Sequence, residues 1–110
     1  MTSNLTEQVF LITLPSRPQA SSDIERATRK ITAATPRHVV FDNQQVQIIS
    51  SSTISELLII ENHLHELNRQ LVLCRVPEKI QALLISVGLQ SLFQIANDSL
   101  EAFEMLEVSS

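Results

Sequence analysis

Short, dense apolar runs alternate in this chain with longer stretches in which apolar residues return every third or fourth position, the signature of strands interleaved with helices. Residues 8–14 (QVFLITL) are rich in β-branched and apolar side chains and read as a strand, closed by Pro15 and Pro18, which cannot donate to a ladder. Residues 1–6 are expected to fray or to add a weak edge strand. Ser21 or Ser22 then caps a helix that places Ile24, Ala27, Ile31 and Ala34 on one face. Acids Asp23 and Glu25 suit its first turn, Arg29 and Lys30 its end, and Pro36 lies beyond its stop. Residues 38–42 (HVVFD) and 70–75 (QLVLCR) are nearly continuous apolar runs, as interior strands covered on both faces require. Pro77 suits the first position of a further helix with Ile80, Leu83, Leu84 and Val87 inward and Gly88 as its stop. Residues 92–95 read as a last short strand, and Asn97 or Asp98 caps a final helix carrying Leu100, Phe103 and Leu106.

The chain is organised around residues 46–67, VQIISSSTISELLIIENHLHEL. Val46, Ile48 and Ile49 read as a strand, and Ile54, Leu57, Leu58, Leu64 and Leu67 as a helical stripe broken only by Glu61. Ile59 and Ile60 widen that stripe. Between the two halves stand Ser50, Ser51, Ser52 and Thr53, at the mouth of the helix, where side-chain oxygens accept from free backbone N–H groups. The same place favours an anion, because the unpaired N–H groups and the helix dipole both present positive charge. The hydroxyl row can therefore cap the helix or offer a regulated hydroxyl. Strands alternating with helices imply crossover connections, so the expected fold is α/β: a single domain over residues 1–110, ordered core about 8–106. Its sheet has four to five mostly parallel or mixed strands and about four helices.

Composition narrows the function. A net charge of −4, with Arg26, Arg29 and Lys30 as the single basic group, lacks the face that nucleic acid requires. No apolar run approaches the roughly 20 residues that span a bilayer, so no direct membrane insertion is expected. The start, MTSNLTEQVF, does not have the form of a signal peptide, so a cytoplasmic location is expected. Cys74, the single cysteine, fits a small core residue in a reducing compartment. One Gly and no Trp or Tyr remove glycine-rich phosphate loops, nucleophile elbows and stacking platforms together. His63 and His65 lie two apart on a helix and point to different faces, which no single metal can use. His38 begins a strand and reads as structural. Glu61 either edges the stripe or meets a partner, and Asp42 either binds something or accepts backbone hydrogen bonds in the turn. With no catalytic constellation, the reading is a non-enzyme with no metal and no cofactor.

Two strings carry a resemblance. HVVFDNQQVQIISSSTISELL is similar to the STAS pattern of an apolar strand ending in Asp, then V-x-F/I-I/M-D-S-S/T-G-L-G and a helix, with Asp42 on the first Asp. LVLCRVPEKIQALLISVGLQSLFQI resembles the family's strand, Pro-initiated helix and GL-x-x-LF-x-I close, with Gly88, Leu89, Leu92 and Phe93 on matching positions. Ser50 stands where the family has its second Asp, Thr53 and Ser55 where it has its two Gly, and SRPQ replaces a Gly-Glu-Leu segment. The resemblance, which spans about residues 8–106, implies an anti-sigma-factor antagonist that binds a serine kinase acting also as anti-sigma factor. Phosphorylation of the hydroxyl after the motif's Asp releases that partner. This hydroxyl falls on Ser51, with Ser50, Ser52 and Thr53 as alternatives, and Asp42, Ser50, Ser52, Thr53, Ser55 and Glu56 are the expected partner-binding residues. Two other roles within the family fit the same strings: an interaction subunit of a phospholipid-trafficking ABC transporter, and a self-associating domain forming a weak homodimer.

Overall fold

The computed structural model describes residues 2–5, 9–18, 26 and 37–106. Five strands form one sheet in the order β1-β2-β3-β4-β5: β1 (Thr2–Leu5), β2 (Val9–Thr13), β3 (His38–Asp42), β4 (Leu71–Cys74) and β5 (Gln94–Ala96). β1 runs antiparallel to β2, with Thr2 opposite Thr13, and the other neighbours are parallel. The described helices are α1 (Ser51–Glu66), α2 (Glu78–Ser86) and α3 (Ser99–Met105), with a short 3-10 turn at Gln90–Leu92. The helix expected after Ser21 or Ser22 lies outside the described residues, apart from Arg26, which is helical and exposed.

Period-2 alternation divides the strands between two cores. Phe10, Ile12, Val39, Phe41, Leu71 and Leu73 pack with Leu57, Ile60 and Leu64 of α1 and with Ile80 and Leu84 of α2. Val9, Val40, Val72, Cys74 and Ala96 point the other way, against Ala102 and Leu106 of α3. This explains why residues 39–41 of β3 and the whole of β4 are apolar, since neither face meets water.

Of the two alternatives for the first residues, residues 2–5 take the edge strand, paired with β2. Two expectations need correcting. Residues 46–49 are not a strand: Gln47 and Ile48 both donate their N–H to the Ser16 carbonyl, at 2.8 and 3.3 Å, and Val46 donates back to Asn43. That segment is a loop stitched to another loop, and Ile48 is left exposed. The last strand starts two residues later than its apolar run, because Gln90–Leu92 closes into the 3-10 turn first.

The helix ends obey local rules. After α1, Asn68 takes φ 59°, and the Arg69 N–H reaches the Leu64 carbonyl at 2.8 Å while the Asn68 N–H reaches His65 at 3.1 Å. After α2, Gly88 takes φ 75°, with the Leu89 N–H on Leu84 at 2.8 Å and the Gly88 N–H on Ile85 at 3.0 Å. Both are Schellman closures, one on the residue best suited to the left-handed region and one on the next best. A Cβ at Gly88 would meet nothing within 4 Å, so the cost of adding one lies in the backbone alone. Gly88→Ala should therefore lower unfolding free energy by about 1 kcal/mol, and Asn68→Gly should raise it by a few tenths, both read from urea denaturation midpoints.

Candidate functional site

The carboxyl ends of β3 and β4 and the start of α1 meet at one end of the sheet, and short polar ties fix their arrangement. Asp42 is buried; its Oδ2 accepts from Arg75 Nη2 at 2.7 Å and its Oδ1 from the Gln44 N–H at 3.0 Å. Asn43, also buried, donates from Nδ2 to the Phe41 carbonyl at 2.9 Å, and its N–H reaches Cys74 at 2.9 Å. Arg75 holds φ 52°, a left-handed conformation that a side chain of this size rarely adopts. The ion pair across to β3 helps hold it there. Asp42 is thus enclosed by its own fold, and its Oδ1 accepts a backbone hydrogen bond in the turn, the second of the two readings of this residue.

The hydroxyl row sorts itself by burial. Thr53 has no accessible surface, and its Oγ1 donates to the Pro18 carbonyl at 2.9 Å. With that proton committed, the 3.1 Å contact between Ser50 Oγ and Thr53 Oγ1 must be donated by Ser50. Ser50 Oγ in turn accepts from the Thr53 N–H at 3.2 Å, the N-cap bond of α1. So Ser50 is exposed but fully occupied by the cap, and Thr53 is a tether to the loop after β2. Thr53, named in the sequence as an alternative acceptor and a contact residue, is therefore placed beneath the surface. Ser51 and Ser52 are exposed in the first turn.

The rotation of α1 decides what accompanies them. Thr53, Leu57, Ile60 and Leu64 are its buried row, at spacings of four, three and four. Glu61 lies one position off that row and is half-buried, at the edge of the stripe; Glu56 is likewise half-buried. Ser51, Ser52, Ser55 and Ile59 face outward, and Ile59 is 56% exposed in the middle of this polar face. Ile48, 53% exposed, stands just before the helix. The wide apolar stripe seen in the sequence hid this: of the adjacent pair, Ile60 is core and Ile59 is surface.

The remaining reactive side chains stay structural. Burial first, and then the Asp42 charge, push the Cys74 thiol up to about 11, so it stays protonated and poorly nucleophilic near neutrality. His38 Nδ1 accepts from the Gln70 N–H at 3.0 Å. Burial, and then the Arg69 charge, hold its pKa below the ordinary imidazole value. His65 is exposed and His63 half-buried in the last turn of α1. Among the described residues, no group of three or more His, Cys, Asp or Glu is placed to hold a metal ion. No described helix is long and apolar enough to cross a membrane.

A family model described as the STAS domain matches residues 16–102. No curated protein sequence matches significantly. Among solved structures, the chain is similar to the protein TM1081 of Thermotoga maritima, with TM-score 0.84 and 13% identity over 97% of this chain and 88% of that one. It is similar to an anti-sigma-factor antagonist (STAS) domain protein from Planctomyces limnophilus, with TM-score 0.77 and 21% identity over 97% of both chains. A chain of the stressosome, described as a signal integration and transduction hub, gives TM-score 0.74 and 15% identity over 96% of both. At these identities the likeness is one of fold.

Two expected outcomes follow from the ties. Thr53→Val keeps the shape but leaves the Pro18 carbonyl without its donor, and should cost about 1–2 kcal/mol in denaturant unfolding, whereas exposed Ser51→Ala should stay within about 0.5 kcal/mol. The unfolded chain takes up a proton on His38 before the folded one does. Stability from the neutral ring is therefore complete above about 6.5 and is lost as pH falls through the lower folded-state value. His38→Asn, which keeps an acceptor for Gln70 but cannot titrate, should remove that part of the acid-side loss in a comparison of unfolding midpoints between pH 7.5 and 5.

Proposed function

The chain belongs to the STAS domain family, and from that premise we propose that it is an anti-sigma-factor antagonist-like regulator switched by phosphorylation of Ser51. Its partner in this reading is a serine kinase that doubles as anti-sigma factor, met in the cytoplasm. One observation carries the proposal. Ser51 is an exposed hydroxyl in the first turn of a 16-residue helix, while its neighbours Ser50 and Thr53 spend their hydroxyls on each other, on the cap and on Pro18.

The chemistry follows from the position. Unmodified, the surface around Ser51 is in part uncharged and apolar. Ser52, Ser55 and Ile59 extend it along α1, Ile48 extends it along the preceding loop, and half-buried Glu56 lies beside it. Such a surface docks by excluding water from its isoleucines. A phosphate adds about −1.5 to −2 charge, which the amide ends of α1 accommodate but an apolar contact does not. Docking is lost while the fold stays intact. Ser50, where the family pattern has Asp, removes one negative charge next to the incoming phosphate. Asp42 and Arg75 act from beneath, holding the loop that leads into the helix.

Incubation with the cognate kinase and ATP should place one phosphate on Ser51, located by tandem mass spectrometry and absent from Ser51→Ala. Ser51→Asp should weaken binding to the kinase by about tenfold or more. A chain that binds the kinase without acquiring phosphate between Ser50 and Thr53, or one whose binding ignores Ser51→Asp, would overturn the proposal.

A further inference from the structure

The loop after β2 lies alongside the start of α1, and the ties between them come at every second residue. The Leu14 N–H reaches the Asp42 carbonyl at 3.0 Å, the Ser16 carbonyl accepts from Gln47 and Ile48 at 2.8 and 3.3 Å, and the Pro18 carbonyl accepts from Thr53 Oγ1 at 2.9 Å. Arg17 stands between the second and third of these ties. Its place is therefore beside residues 48–53, the segment that holds Ser51. Proline stiffens the loop further: Pro15 and Pro18 fix their own φ and keep Leu14 and Arg17, the residues before them, out of the helical region. Arg17 is presented by backbone that is already ordered.

What this loop presents is an unengaged cation. Arg17 is exposed, and its guanidinium makes no hydrogen bond or ion pair among the described residues. Two other cations near this end of the sheet differ from it. Arg75 is bound to Asp42 at 2.7 Å, and exposed Lys79 lies in the first turn of α2, after a different strand. Transfer of the γ-phosphoryl group of ATP to Ser51 forms an Oγ–P bond, releases ADP and gives up the hydroxyl proton. The product carries about −1.5 to −2 charge on three acceptor oxygens. A guanidinium matches such a group with two parallel N–H donors, which an ammonium cannot.

We propose that Arg17 is the residue that receives the phosphate on Ser51. The inference rests on the Ser51 reading above and adds where the new charge goes. Because the Ile48 N–H is bonded to Ser16, next to Arg17, a phosphate drawn to the guanidinium is held beside that exposed isoleucine, one of the apolar contacts of the docking surface. The charge is fixed where the partner would dock.

Phosphoserine encoded genetically at position 51 of the full chain tests the pairing without a kinase. Titration followed by phosphorus NMR should give a second phosphate ionisation below the ordinary value of about 6. Arg17→Gln should raise it by about half a pH unit or more, and Arg17→Lys, which keeps the charge but not the fork, should restore only part of the difference. Lys79→Gln should leave it where it is. Arg17→Gln in the unmodified chain should keep the wild-type melting temperature, since the side chain is exposed. A phosphate that titrates alike with and without Arg17, or one that Lys79→Gln shifts as far as Arg17→Gln does, overturns the proposal. Whether a kinase modifies Ser51 is read in a different assay, so either idea can fail alone.

Discussion

The buried row of α1 is the constraint on which the rest depends. Leu57, Ile60 and Leu64 each lose nearly all their accessible surface against the sheet, each worth about 1.5–3 kcal/mol of burial. That fixes the rotation of the helix about its own axis. At about 100° per residue, a Thr53 turned fully inward puts Ser51, two positions earlier, close to the opposite side. The exposure of the proposed acceptor is therefore a consequence of core packing three turns long. No interaction of Ser51 itself is needed.

Polar ties then decide where the start of that helix lies. The Thr53 hydroxyl on Pro18, the paired N–H groups of Gln47 and Ile48 on Ser16, and the Leu14 N–H on the Asp42 carbonyl at 3.0 Å join the loop after β2 to the loop after β3. The Asp42–Arg75 pair joins the ends of β3 and β4 in the same region. Arg75 is partly exposed, so the pair is worth little as a surface salt bridge. Its larger effect is to spare a buried carboxylate from standing unpaired. Thr53, placed where the family pattern has Gly, converts a position of backbone freedom into one of these ties.

The interior character of β3 and β4, the stop at Gly88 and the cap at Asp98, offered there beside Asn97, were all legible in the sequence. Each rests on local physics: periodicity, φ preference, or a side-chain oxygen within reach of its own helix. So was the hydroxyl row at the mouth of a helix. What the chain's order could not show was which hydroxyl is free. Thr53 and Ser51 are both hydroxyl residues at one helix start, and only contact with Pro18, 35 positions away, makes one a tether and leaves the other exposed. The same holds for Asp42, whose partner Arg75 is 33 positions distant, and for residues 46–49, apolar enough for a strand but bonded to Ser16 rather than to a ladder. Local preference selects the elements; long-range packing and hydrogen bonding, which spacing along a chain does not encode, choose the face that each side chain turns to water.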